Sequence, residues 1–337
     1  MAAKYETIGS LQALRGLSAL AVVFYHAGYL IGGFHADFGA VATFFVISGF
    51  IMCFIAEREP ADFFQRRLIR IVPMYWLCTI VLALVVERSA FFRFWNWHAD
   101  FTTSLFRSLL FLPSADAPML GVGWTLNLEM YFYVLFAAAL RISPKHAPIL
   151  TAAAVVSILS LPAFGCAATV CKVYAHPYVY FFLYGIILYY AWSFLRTAPP
   201  SSSFGYAAWA LVVLCYVVQA ATSDAIYPVV IVAAALLAST ANADLRWRPA
   251  IILGDASYSI YLTHTIVMRL INAGDFASNS LAASIGVMAL SGMIGVAAHI
   301  LIERPLTVAV KRSWLSRRGS RSGRRLRSAA PPARRSG

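Results

Sequence analysis

Apolar residues run along most of this chain in blocks of roughly 20, the length a helix needs to cross a hydrocarbon core. The blocks fall near 11–31, 38–56, 71–86, 123–140, 147–164, 177–195, 204–221, 226–241, 250–272 and 281–302. Only helices and closed barrels satisfy their own backbone groups in lipid, and blocks of this length suit helices. The pattern predicts an all-α integral membrane protein, a polytopic bundle of about ten transmembrane helices. The third and eighth blocks are short. Phe101–Leu112, between the third and fourth, is apolar enough to lie at the interface or re-enter.

Composition agrees. The chain has 337 residues, 61% hydrophobic and 12% charged, where soluble domains carry about 25% charged residues. Its formal charge is +13. Ten positives, with no acids among them, lie after residue 310, which leaves the body at +3. The basic character therefore belongs to a tail at 311–337, expected to be unstructured and to meet anionic membrane lipids. The membrane domain is 1–310, and no nucleic-acid surface is implied.

Arg58, Arg66, Arg67, Arg70, Arg141, Lys145, Arg196, Arg246, Arg248 and Arg304 all fall on one side when the N-terminus is placed inside. The positive-inside rule then puts both termini in the cytoplasm of a cell inner membrane. Arg15 and His26 inside the first block argue against a cleaved signal peptide. The five cysteines make no metal pattern. Cys166 and Cys171 share a short external loop where a structural disulfide can form.

The informative residues are the polar ones inside apolar blocks, which are costly there. Arg15 and His26 are eleven residues apart, about three helical turns, so they share a face roughly 16 Å apart. A snorkelling cation and a satisfied core histidine explain them equally well. Glu129 sits at a depth comparable to His26 and could orient its imidazole; a buried packing carboxylate is the other reading. Arg67 and Arg70, at i and i+3, present two guanidinium groups on one face, suited to phosphate, although topology alone also explains them. His264 lies among the hydroxyls of Tyr258, Ser259 and Tyr261, and either lines a polar cavity or bonds between spans. Ser48 and Gly49 mark a close helix approach; no G-x-S-x-G turn supports a serine nucleophile.

Six motifs occur in order: Arg15-x10-His26, FFVISGF at 44–50, RRLIRIVPMYW at 66–76, GWTLNLEMYFY at 123–133, GDASYSIYLTH at 254–264 and ERPL at 303–306. Together, across residues 10–306, they resemble the membrane acyltransferase family three, and most of all its exopolysaccharide, succinoglycan-type O-acetyltransferase branch. The resemblance implies transfer of an acyl group, usually acetyl, from cytoplasmic acyl-CoA as co-substrate. The acceptor would be a sugar hydroxyl of an exported polysaccharide or a lipid-linked oligosaccharide, with no metal. It implies that His26 is catalytic with Arg15 as its companion, that Arg67 and Arg70 hold the coenzyme, and that Trp124 and Glu129 belong to a further polar cluster. Trp124, Tyr258, Tyr261 and His264 are then the candidates for lining the substrate cavity. A transporter or flippase for a lipid-linked sugar is the competing class, against which no internal repeat is visible.

Overall fold

The computed structural model describes residues 8–31, 38–88, 101–222, 224–241, 243–272 and 281–328. Lys4, His35, Arg93, His98 and the last nine residues of the tail lie outside them. The described residues form helices and no strands: α1 (Gly9–Ile31), α2 (Ala40–Arg58), α3 (Phe63–Arg88), α4 (Phe101–Leu109), α5 (Gly123–Ile142), α6 (Ala147–Ser160), α7 (Thr169–Tyr174), α8 (Tyr180–Leu195), α9 (Ser202–Thr222), α10 (Tyr227–Thr240), α11 (Arg248–Asn272), α12 (Leu281–Ala298) and α13 (Arg304–Ser328). A π-helical segment, His299–Glu303, joins α12 to α13.

Each of the ten apolar blocks falls on a helix. Seven helical segments among the described residues are long and apolar enough to cross a membrane. α10, at 14 residues, is shorter. α1 and α11, at 23 and 25 residues, are long enough but carry the polar side chains from which the site is built. Large apolar side chains such as Val213, Val217 and Ile187 stay exposed, a surface suited to lipid rather than water.

α1 and α11 run parallel and very close. The register is set at their N-terminal ends, where the Asp244 carboxylate accepts from the amides of Gly9 and Ser10 at 3.1 and 2.7 Å. This satisfies two of the otherwise unpaired donors of a helix N-terminus and favours its dipole. One turn on, Gln12 Nε2 donates to Asp255 Oδ1 at 2.7 Å. Gly254 then permits the contact, because a Cβ there would overlap the Gln12 carbonyl, and one on Gly16 would meet Leu253. Gly49 and Gly185 do the same for α2 and α8, each facing the other helix's backbone, as expected of the Ser48–Gly49 patch. Gly254→Ala should destabilise the protein by about 1–3 kcal/mol, the usual cost of overpacking. A lowered unfolding midpoint in detergent would show it; an unchanged midpoint would mean the helix pair has slack.

Two expectations change. The tail does not lose structure at residue 311: α13 continues to Ser328. Arginine and leucine favour helix, the costly nucleus is already formed by the preceding turns, and the next proline after Pro305 is Pro331. α3 begins at Phe63, eight residues before its apolar block, so Arg67 and Arg70 stand on the helix itself. The Cys166–Cys171 disulfide is formed and ties the turn after α6 to α7.

Candidate active site

α1, α2, α3, α5 and α11 line an open cavity of about 100 Å³. α2 supplies its apolar wall through Phe44, Phe45, Ile47, Ile51 and Met52. Its polar residues are Arg15, Arg67, Arg70, Glu129, Tyr133 and Ser48, joined by Thr125, Ser257, Tyr258 and Tyr261. The i, i+3 spacing at the start of α3 turns Arg67 and Arg70 into the same space. Arg67 is buried, with its guanidinium 5.8 Å from the Phe63 ring and 5.9 Å from that of Tyr133. Arg15 is held by Gln12 Oε1 at 3.1 Å. Among the described residues none of these three arginines has an ion-pair partner within 4.0 Å.

Glu129 is the acid of this cavity. Ser48 Oγ donates to its Oε1 at 2.8 Å, and the Tyr133 hydroxyl, one turn along α5, donates to the same oxygen. Its field reaches both Arg15 and Arg67. With three guanidinium groups against one carboxylate, the cavity carries an excess of positive charge and suits an anionic ligand.

The expected partnership of Glu129 with His26 is not what the structure displays. His26 Nδ1 lies 2.9 Å from His264 Nε2, and the two rings meet edge to edge, with centroids 5.1 Å apart and an interplanar angle of 8°. Comparable depth placed Glu129 near His26 in the sequence reading, but depth says nothing about which way a helix face points. His264, expected on the cavity wall, is instead fully buried behind it. Of the cavity's lining, Tyr261 has its ring 5.9 Å from His264, and Phe44 lies 6.0 Å from Tyr261.

The tyrosine hydroxyls tie helices together as well as facing the cavity. Tyr258 donates to the Ile71 carbonyl at 2.7 Å, linking α11 to α3. Tyr261 OH lies 2.9 Å from Thr125 Oγ1 and donates to the Val122 carbonyl at 3.2 Å, linking α11 to the start of α5. Trp124, also expected on the wall, turns away into an aromatic cluster with His176 at 5.3 Å and Tyr178 at 5.5 Å between ring centroids. Tyr178 in turn meets Phe45 of the cavity wall at 5.9 Å.

Several roles were not legible in the sequence. Ser48 holds Glu129, and His176 completes the cluster around Trp124. Ser259 belongs to a separate buried group: its Oγ donates to Glu303 at 2.6 Å, and His299 Nδ1 lies 2.8 Å from the same oxygen. The i, i+4 spacing of His299 and Glu303 was the one sequence signal for that group. No set of three or more His, Cys, Asp or Glu side chains among the described residues could hold a metal ion.

A family model described as an acyltransferase domain matches residues 8–302. The exopolysaccharide production protein ExoZ of Rhizobium meliloti (strain 1021) is 32% identical over 293 residues, covering 81% of this chain and 91% of that protein. A Staphylococcus aureus (strain COL) protein named as an O-acetyltransferase is 26% identical over 80% of this chain and 52% of its own length. A Komagataeibacter xylinus protein named as a membrane-bound transacylase is 34% identical over 39% of this chain and 36% of its own. No solved structure matches the chain.

Proposed function

The chain belongs to the acyltransferase family that this domain model defines, and from that membership we propose that it is a membrane-embedded O-acyltransferase. It moves an acyl group, acetyl by preference, from cytoplasmic acyl-CoA to a sugar hydroxyl of an exported or surface polysaccharide or its lipid-linked precursor. The observation that carries this reading is the cavity where Arg15, Arg67 and Arg70 converge without an ion-pair partner among the described residues. Coenzyme A is an anion made of phosphates with a long, weakly polar pantetheine arm. The guanidinium groups suit the phosphates, and the apolar face of α2 suits the arm. The cavity is too small for the whole coenzyme, so the nucleotide stays at the cytoplasmic mouth and the thioester end moves inward past Tyr261 toward His26.

Neutral His26 is the general base. As the sugar oxygen attacks the thioester carbon, His26 Nε2 takes the hydroxyl proton. The C–S bond breaks, and the same proton passes to the departing sulfur. An O-ester and a free thiol result. Glu129 has a different part from the one its depth suggested: it offsets the arginine charges while the donor is absent. The acceptor approaches from the opposite end, where Trp124, His176 and Tyr178 offer aromatic faces on which a sugar ring can stack. The relatives' names, exopolysaccharide production and O-acetyltransfer, support the same acceptor class. The Cys166–Cys171 disulfide suits an oxidising exterior, in line with cytoplasmic termini.

The direct test is the full-length protein in proteoliposomes with [acetyl-14C]acetyl-CoA and a surface polysaccharide stripped of its esters by mild alkali. Label should enter the polysaccharide as an alkali-labile ester, and only with the protein present. Movement of a lipid-linked sugar across the bilayer with no ester formed would replace this reading with a transporter.

A further inference from the structure

His26 and His264 come from the first and ninth predicted spans, 238 residues apart, yet their rings meet edge to edge through one hydrogen bond. Both rings sit on a parallel helix pair locked by the α1 cap and the Gly254 contact, so their meeting is set by the backbone rather than by flexible side chains. We propose that His264 is the positioning residue of the transfer reaction: it accepts the Nδ1 proton of His26, and so fixes the tautomer that leaves His26 Nε2 free to act as base. The inference rests on the proposed function and supplies His26 with the partner that Glu129 does not provide.

The proton assignment follows from what surrounds His264. With Nε2 turned to His26, the backbone carbonyls of Ile260 and Tyr261 that bear on the His264 ring fall to Nδ1, which is buried without a full hydrogen bond. A ring nitrogen facing two carbonyl oxygens in a buried site must carry the proton, because a lone pair there would face only other lone pairs. A neutral imidazole with hydrogen on Nδ1 has a lone pair on Nε2, so the 2.9 Å contact has one consistent polarity: His26 Nδ1–H donates to His264 Nε2. The catalytic nitrogen of His26 is then the unprotonated Nε2. When it takes the sugar proton, the resulting imidazolium donates a stronger, charge-assisted bond to the same acceptor. A second charge on His264 is excluded by like-charge repulsion at this distance. His264 touches neither substrate and holds no transferred proton; it acts through His26.

A carboxylate is the commoner orienting partner of a catalytic histidine. Here a neutral ring does the same geometric work without placing a second full charge in a buried site. The edge-to-edge contact adds orientation, since near-parallel rings joined through His26 Nδ1 and His264 Nε2, with centroids 5.1 Å apart, keep His26 Nε2 turned away from His264.

Three variants in the full-length protein separate this from a packing role. His264→Phe keeps the flat ring and removes the acceptor. His264→Gln puts a carbonyl oxygen near the position of Nε2, and His264→Asn places it near that of Nδ1. Proteoliposomes are assayed with acetyl-CoA and alkali-stripped polysaccharide. For His264→Phe we expect kcat to fall about 10²-fold, within the range of general-base contributions, with KM for acetyl-CoA unchanged. His264→Gln should recover most of that loss, and His264→Asn should not. If His264→Phe fails to insert, the Gln-to-Asn ratio alone decides, and a ratio near one overturns the inference. Full activity in His264→Phe overturns it as well, as does equal loss in all three variants with acetyl-CoA binding intact, which would make His264 a packing residue. The proposed function fails separately, if the unaltered protein forms no alkali-labile ester from labelled acetyl-CoA.

Discussion

His26→Ala in proteoliposomes should transfer acetyl to polysaccharide about 10²–10⁴-fold more slowly than the unaltered protein, the range that a positioned general base contributes. KM for acetyl-CoA should be little changed, because the arginines proposed to face the donor line the cavity and His26 does not. The fold should survive: the α1–α11 contact depends on the Asp244 cap and the Gly16–Gly254 approach, not on the imidazole. The measurement is single-turnover transfer with saturating labelled acetyl-CoA, after equal insertion of both proteins is confirmed. Added imidazole should restore part of the rate if it enters the vacated space, since the lost group is a base and not a scaffold. Transfer at the original rate would remove His26 from the chemistry and leave the histidine pair as packing.

The helices were the most legible part of the sequence, for a physical reason. An apolar block of roughly 20 residues has one economical conformation in lipid, and each of the ten blocks lies on a helix. What a hydropathy pattern cannot carry is azimuth. Glu129 and His26 share a depth, but their side chains leave their helices in different directions, and Glu129 meets Ser48 and Tyr133 instead. The His26–His264 contact was hidden for the same reason, since neither residue names the other from 238 positions away. Boundaries failed where amphipathic sequence extends an apolar helix. FFQRRLIR reads as loop by hydropathy, yet it forms the first two turns of α3 and carries both arginines on one face. Ser48 was judged by its lack of a nucleophile turn, which answered whether it attacks a substrate but not whether it holds a carboxylate. Arg15, Arg67, Arg70, Glu129, Tyr258 and Tyr261 were singled out from sequence and do line one cavity. Their common feature is a polar side chain whose cost in lipid demands a partner.

Removing the two α3 arginines together should act almost entirely on the donor. Arg67→Ala/Arg70→Ala deletes two guanidinium groups that face the cavity without an ion-pair partner among the described residues. A hydrogen bond to a charged group contributes about 1.5–3 kcal/mol, and each 1.4 kcal/mol is a factor of ten in affinity. KM for acetyl-CoA should therefore rise at least about 10²-fold, with kcat at saturating donor much less affected, the opposite split from His26→Ala. Because the two arginines lie one turn apart and share a ligand, the single variants should not sum to the double. Arg70→Ala is the cleaner single change, since Arg70 is half-buried while Arg67 is packed against Phe63 and Tyr133. Lysine at either position should restore only part of the affinity, as a point charge cannot make the paired bonds of a guanidinium fork. Raising the salt concentration should weaken acetyl-CoA binding in the unaltered protein and matter much less in the double variant. An unchanged KM in a correctly inserted double variant would move the donor out of this cavity and leave its positive charge without a ligand.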